Sequence, residues 1–304
     1  MITRIGTFAN ATALIAASLK VQAKVATQQG QQASGYKSTT FSGLSGDAGK
    51  LLDLTGQSAR LKADNTAANA AASMVQAAYS AVTNITDLAT TIRSQLAAAI
   101  SGANNGSGAS AITGQSAANW LSTLQSELNT EVGGVYVFGG QASNAPPVDF
   151  TAPAYSPTAA PTSPDTGYYL GSGATRALTT SQGVSVTLSA PASASGFEQL
   201  ARALSLIAAN PSDPATLQAA YDAVGTATGA LASTQAMISN QASSLDMLVT
   251  NNQAKVTTLD NLASAVDGAD LATATVLVTQ YQTQLDALYS AIGKLSADNI
   301  LKYI

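Results

Sequence analysis

The chain has 304 residues, of which 46% are hydrophobic and only 10% charged, with a formal net charge of −4. So low a charged fraction, filled out by Ala, Ser, Thr, Gln and Asn, suits surfaces that meet neighbouring protein better than surfaces in open water. With no His and no Cys, Ser-His-Asp and Cys-His catalysis, disulfides and imidazole or thiolate metal sites are excluded, and 13 scattered Lys and Arg against 17 Asp and Glu leave no basic stripe for nucleic acid.

In chain order, the first element is an amphipathic run from about Asn10 to Gln32. Its apolar stretch Ala9 to Leu19 has the length of a signal-peptide core. Only Arg4 precedes it, however, and the helical pattern continues unbroken through Lys20 and Lys24, so a helix is expected there and not a cleaved leader. No uncharged apolar run reaches the ~18 residues of a membrane span. A second run, from about Ala48 to Ile100, carries Leu51, Leu54, Leu61, Val75, Tyr79, Val82, Ile85, Leu88, Ile92 and Leu96 on a drifting stripe. The Gly-rich Ser101 to Ser110 reads as a flexible turn, after which Ala117, Leu121, Leu124, Leu128 and Val132 mark a third helix.

The middle changes character. Val135 to Phe138 reads as a strand ended by Gly139-Gly140, and a Pro-rich stretch with alternating segments at Gly167 to Leu170 and Val184 to Leu188 follows. Helix resumes at Phe197 to Ala209 and stops at Asn210-Pro211, because Pro lacks a donor and biases its predecessor away from helix. A further helix runs from Pro214 to about Val266, with Leu217, Val224, Leu231, Ile238 and Leu245 at heptad spacing. The last helix repeats that spacing with Leu271, Val278, Leu285 and Ile292, and places Tyr281, Leu288 and Leu295 at the fourth position of the same repeat. At 1.5 Å per residue, a 50-residue helix reaches about 75 Å.

The fold class expected is therefore mainly α: an elongated coiled-coil bundle of long N- and C-terminal helices with a small β-rich insertion in the middle. The division expected is an inner terminal-helix domain of 1–44 plus 254–304, a helical outer domain of 45–133 plus 196–253, and the insertion over 134–195. The apolar edges of the terminal helices exceed what their own chain can cover. Both termini are expected to order when neighbouring copies bury the remaining faces. The assembly residues expected are Leu14, Val21 and Val25 near the start, and Leu271, Val278, Tyr281, Leu285, Leu288, Ile292, Leu295, Leu301 and Ile304 at the end.

Motifs with possible chemistry are weak. Gly43 to Lys50 looks like a phosphate loop, but Leu44 stands where the first Gly is required and Leu51 replaces the magnesium-binding hydroxyl. Ser34-Gly-Tyr-Lys37 satisfies the bare S-x-x-K pattern without a K-T-G partner. Glu127 and Glu131, four apart, place two carboxylates on one helix face and read as a solvated pair. Asp260, Asp267 and Asp270 fit no calcium loop and read as residues that break and recap helices, Asp270 leading into the last one. Tyr79, Tyr221, Tyr281, Tyr289 and Trp120 read as core. Neither catalysis nor a cofactor or metal is expected.

Three segments resemble the bacterial flagellin superfamily, which includes the filament protein and the hook–filament junction protein. Gln31-Gln-Ala-Ser-Gly-Tyr-Lys37 is similar to the family's Q-x-A-S-G-x-[KR] segment. Gly134-Val-Tyr-Val-Phe-Gly-Gly140 followed by Ala145-Pro-Pro-Val148 resembles the G-x-Y-x-F-G-G and Pro pattern of the junction branch. Gln282 to Ile304 resembles the family's terminal seam helix. After Lys37 the chain departs from the usual Ser-Asp-Asp-Pro-Ala stretch, keeping only Ser45-Gly-Asp47-Ala48. The resemblance implies a non-enzymatic structural subunit of the flagellum, exported through the flagellar channel and assembling outside the cell. Its partners would be copies of itself, the hook-side junction protein, flagellin and an export chaperone. A junction subunit is the first expectation and filament flagellin the alternative; a secreted helical adhesin or secretion-tip protein is the reading from another class.

Overall fold

The computed structural model describes residues 2–105, 112–142, 144–159, 161, 163–188 and 190–300. Within the terminal parts of three helices, side chains are described only from residue 9, up to residue 102 and up to residue 296. The described chain is mainly α with a small β insertion. Its elements are α1 (Ile2–Ser34), a 3-10 segment (Phe41–Asp47), α2 (Ala48–Asn105), α3 (Gly114–Leu128), β1 (Glu131–Val132), β2 (Val135–Tyr136), β3 (Ala177–Thr179), β4 (Ser185–Thr187), α4 (Ser195–Ala209), α5 (Pro214–Asp267) and α6 (Leu271–Ile300). Among the described residues no helix is long and apolar enough to cross a membrane.

Two compact units emerge, one of residues 1–59 and 255–304, the other of residues 60–254. In the second, the stripes of α2 and α5 share one core. Val75, Val82, Ile85, Ile92 and Leu96 are fully buried there with Val224, Leu231, Ile238 and Leu245. The two helices run antiparallel through it: the Gln235 amide donates to the Thr83 hydroxyl at 2.9 Å, and the Arg93 guanidinium lies 4.9 Å from the Tyr221 ring centre. Tyr79, Tyr221 and Trp120 are half-buried against this core. Starts and stops follow local chemistry. Pro214 opens α5, and the Asp213 carboxylate accepts from the Thr216 backbone N–H (3.0 Å) and hydroxyl (2.6 Å), an N-cap beside a first-turn Pro. Thr113 caps α3 by accepting from the Ser116 N–H, and α4 ends before Asn210-Pro211 as expected.

The insertion corrects the sequence reading in several places. The third helix stops at Leu128, and Val132 pairs with Val135 in a hairpin instead of continuing the helical stripe. Its two turn residues, Gly133 and Gly134, have φ of +60° and +82°, the pair of left-handed conformations that a tight hairpin needs and that glycine adopts without penalty. Glu131 therefore sits in β1, off the helix of Glu127, and the carboxylate pair on one helix face does not exist; Glu127 accepts instead from the Asn84 amide at 3.1 Å. The strand expected over Val135 to Phe138 is only two residues long. Val137 and Phe138 turn into the core, where Phe138 meets Phe197 edge-on at 5.6 Å. Gly167 to Leu170 makes a single bridge between Val148 and Tyr169, whereas Val184 to Leu188 supplies β4, paired antiparallel with β3. The second long helix runs five residues past Ile100, and the remainder of the expected turn lies outside the described residues.

The Pro-rich stretch is held by side chains more than by strands. Phe150, Tyr155 and Tyr168 pack with ring centres 5.0 to 5.8 Å apart, and the Tyr168 hydroxyl donates to the Ala192 carbonyl at 2.9 Å. Burial in this cluster pushes the Tyr155 hydroxyl up to about 12 and raises Tyr168 further, since the low-dielectric surroundings penalise phenolate. Glu198, almost fully buried, pairs with Arg202 at 3.0 Å one turn along α4. Asn129 makes a reciprocal pair of bonds with the Val148 backbone, at 2.9 and 3.0 Å, fixing the Pro-Pro-Val segment beside the end of α3.

Candidate assembly surface

The site is built from α1 and α6, which pack side by side in the first unit. They are antiparallel: Gln32 donates to the Thr275 hydroxyl at 2.8 Å, and Gln22 to the Tyr289 hydroxyl further along. Lys24 places its ammonium 5.3 Å from the centre of the Tyr281 ring, a cation–π contact. The base of the pair is a clasp. Gly35, with φ of +74°, terminates α1 and donates to the Gln31 carbonyl at 2.8 Å, a left-handed helix end that favours Gly there. Its carbonyl accepts from Ala269 (2.8 Å), while Lys37 donates from its backbone to Asp267 (2.6 Å) and from its ammonium to the Val266 carbonyl (2.6 Å). At Gly268 a Cβ would run into the Ser264 carbonyl. The glycines of the Q-x-A-S-G-x-K segment and of the α5–α6 break thus serve one junction.

Beyond the clasp, Asp270 caps α6. Its carboxylate accepts from the Ala272 and Thr273 N–H groups (3.0 and 3.1 Å) and the Thr273 hydroxyl (2.7 Å), and these bonds, the Thr273 hydroxyl first, hold its pKa below the ordinary value of 3.8. The expected capping role is met by Asp270. Asp260 differs: it lies inside α5, which does not break there, and accepts from the Ser58 hydroxyl at 2.6 Å. Below the clasp a small core of Leu44, Leu51, Leu54 and Val266 closes this end of the unit. Lys37 of the S-x-x-K match is turned to the Val266 carbonyl, and the Ser34 hydroxyl donates to Gly30 at 2.8 Å.

The assembly residues expected from the sequence fall in different environments. Val278 is buried, and Leu14, Val21, Val25, Tyr281, Leu285, Leu288, Ile292 and Leu295 are half-buried, on the α1–α6 seam side. Leu271 is 49% exposed, and Leu301 and Ile304 lie outside the described residues. Tyr289, expected in the core, is 47% exposed, its hydroxyl accepting from the Gln22 amide. The heptad pattern does not single out other residues that the structure leaves open: Ile15 and Leu19 on α1, and Val276 on α6, the last 66% exposed. Val276 lies off the seam, because five residues at about 100° each carry it far from Leu271 and well round from Val278. An offset apolar residue on a polar face was the available signal.

The polar part of this surface is also suited to burial. The hydroxyls of Thr275, Thr279 and Thr283 donate to the carbonyls four residues before them, at 2.7, 3.2 and 3.0 Å. A hydroxyl satisfied within its own helix loses little when a neighbour displaces water from it. Between Leu271 and Asp286 α6 carries no charged residue, and the hydroxyls of Thr275, Thr279 and Thr283 do not depend on solvent.

No protein-family profile matches the chain, and no curated protein matches its sequence. Solved structures do. A protein provisionally assigned as flagellar hook-associated, from Vibrio parahaemolyticus, superposes with a TM-score of 0.53 at 13% identity, over 72% of this chain and 96% of that one. FlgL from Bacillus cereus gives a TM-score of 0.42 at 12% identity, over 72% and 98%. At that identity the likeness to the Vibrio protein is one of fold alone.

Proposed function

We propose that the chain is a structural subunit of the bacterial flagellum that assembles through its terminal helices at the hook–filament junction. The observation that carries this reading is the α1–α6 pair. Its seam stays half-buried within one chain, while Ile15, Leu19, Leu271 and Val276 remain open to solvent. Apolar edges of this kind gain about 25 cal/mol for each Å² removed from water, and copies packed around the pair would cover them. The shared fold with the hook-associated Vibrio protein supports the same reading, as do the Gln31 to Lys37 and Gly134 to Gly140 segments. The partners on this reading are further copies, the hook-side junction protein, flagellin and an export chaperone, and the place of assembly is outside the cell after passage through the flagellar channel. The role is mechanical, a ring of packed helices that transmits torque, with no catalytic step.

Deleting the gene tests it. A junction subunit leaves bare hooks while a separate flagellin is still secreted. Loss of the filament protein itself marks a filament subunit instead, and unchanged swimming with lost surface attachment marks an adhesin.

A further inference from the structure

The buried heptad line of α5 changes character at one place in the second unit. Asn252 stands seven residues beyond Leu245, next in the line that buries Val224, Leu231, Ile238 and Leu245, and is only 2% exposed. Asn65, 8% exposed, lies on the buried stripe of α2 between Leu61 and Ala68. The two stand level. Eighteen residues before Thr83 on α2 comes Asn65, and eighteen beyond its partner Gln235 on the antiparallel α5 comes Gln253, the neighbour of Asn252. Their unpartnered atoms are also complementary: Asn65 Oδ1, an acceptor, and Asn252 Nδ2, a donor, are shut off from solvent and bond to none of the described residues. A buried amide group without a partner is costly, and each of the two supplies what the other lacks.

We propose that Asn65 and Asn252 form a matched amide layer, Asn252 donating to Asn65 as the two side chains turn to each other, and that this layer holds α2 and α5 to a single register. The need for such a pin comes from the repeat itself. Leu217, Val224, Leu231, Ile238 and Leu245 recur every seven residues on α5, and Leu61, Ala68, Val75, Val82, Ala89 and Leu96 do so on α2. A shift by one heptad therefore still sets apolar residues against apolar residues. The same shift puts Asn65 level with Leu245 or Leu259 and leaves its buried oxygen without a donor. Only the observed register brings both amides to one level. A polar residue inside an apolar seam selects register in this way at a cost in stability.

A double-mutant cycle combined with register trapping tests this. Asn65→Leu and Asn252→Leu, made singly, are each expected to lower the urea midpoint of unfolding, because the remaining amide has no partner. The double variant is expected to unfold above the wild-type midpoint. The chain has no Cys, so engineered pairs report register without background. Thr83→Cys with Gln235→Cys, replacing a hydrogen-bonded pair, should close an intramolecular disulfide in either background. Thr83→Cys with Thr228→Cys, or with Ala242→Cys, reads a shift of one heptad in either direction. After refolding from urea under thiol–disulfide exchange, at least one of these shifted pairs should close in about 5% or more of the doubly substituted chains, and neither should close in the chain that keeps both asparagines. Single changes that simply add, or a doubly substituted chain that closes only the native pair, overturn the proposal. Asn65→Val with Asn252→Val repeats the test where the leucine variants fail to fold.

Discussion

Two heptad series in this protein have the same spacing and opposite fates. On α5, Val224, Leu231, Ile238 and Leu245 are fully buried and Leu217 nearly so. On α6, Leu271 is open, Val278 is just buried, and Leu285 and Ile292 are half-covered. The difference lies in the number of partners. The α5 series meets α2 in a core that also takes in α3, α4 and the insertion, whereas α6 has α1 on one side. An apolar seam thus sets which edge of a helix seeks cover, while the count of surrounding elements sets whether its own chain supplies it. On α5 the seam is a matter of folding; on α6 we read it as a matter of assembly.

The sharpest way to break this comparison is to put a charge on the α6 seam. Leu288→Asp or Ile292→Asp is expected to abolish assembly, because a neighbour would have to bury an unpaired carboxylate, while the second unit keeps its helicity and its near-ultraviolet aromatic signal. Normal polymers from both variants, seen by electron microscopy and sedimentation, would contradict the reading of α6. Equal truncations at the two seams come next. Leu231→Ala should cost about 2–5 kcal/mol of unfolding free energy in urea, as a fully buried side chain leaves a cavity, whereas Leu288→Ala should cost the monomer only about 1 kcal/mol because half of its surface is already wet. Similar losses at both positions would remove the distinction.

A smaller effect is expected on the open faces. Leu19→Asp combined with Val276→Asp should leave monomer stability within about 0.5 kcal/mol for each site and still weaken assembly measurably in the same sedimentation assay. The smallest is the pH dependence of the α6 cap. The folded-state pKa of Asp270 is lowered, so its contribution is fully present above the ordinary value of 3.8 and fades as pH falls through the lower folded value. Asp270→Ala should therefore reduce helicity relative to wild type at neutral pH, and the gap should close in strong acid. A gap that persists at pH 1 would mean that the cap acts through packing and not through its charge.

Much of the fold was legible in the residues because helices and their ends are local. The α2 and α5 stripes, the stop at Asn210-Pro211 and the Asp270 cap depend on neighbours three or four places away. What was misread turned on chemistry at a single joint. Val132 continues the apolar period of α3, but Gly133-Gly134 offers a hairpin turn that competes with one more helical turn and wins. Asp260 looks like a helix breaker by composition, yet Ser58 gives its carboxylate a donor and α5 runs past it. The heptad rule marks one edge of α6 and does not rank residues by exposure, so Ile15, Leu19 and Val276 fall outside it.

The sequence by itself determined that this is a helical chain with a polar, Pro-rich interruption, without the side chains for imidazole or thiol chemistry and with more apolar edge at its ends than a short helix pair can hide. Periodicity and residue inventory are properties of the chain alone. Only the tertiary structure decided that Gly35 and Gly268 meet in one clasp, that the Lys37 ammonium turns to the Val266 carbonyl, and that one heptad seam is enclosed while its twin stays half-open. Those outcomes depend on which distant segments arrive beside a residue, and more than 220 positions along the chain separate Lys37 from its partner.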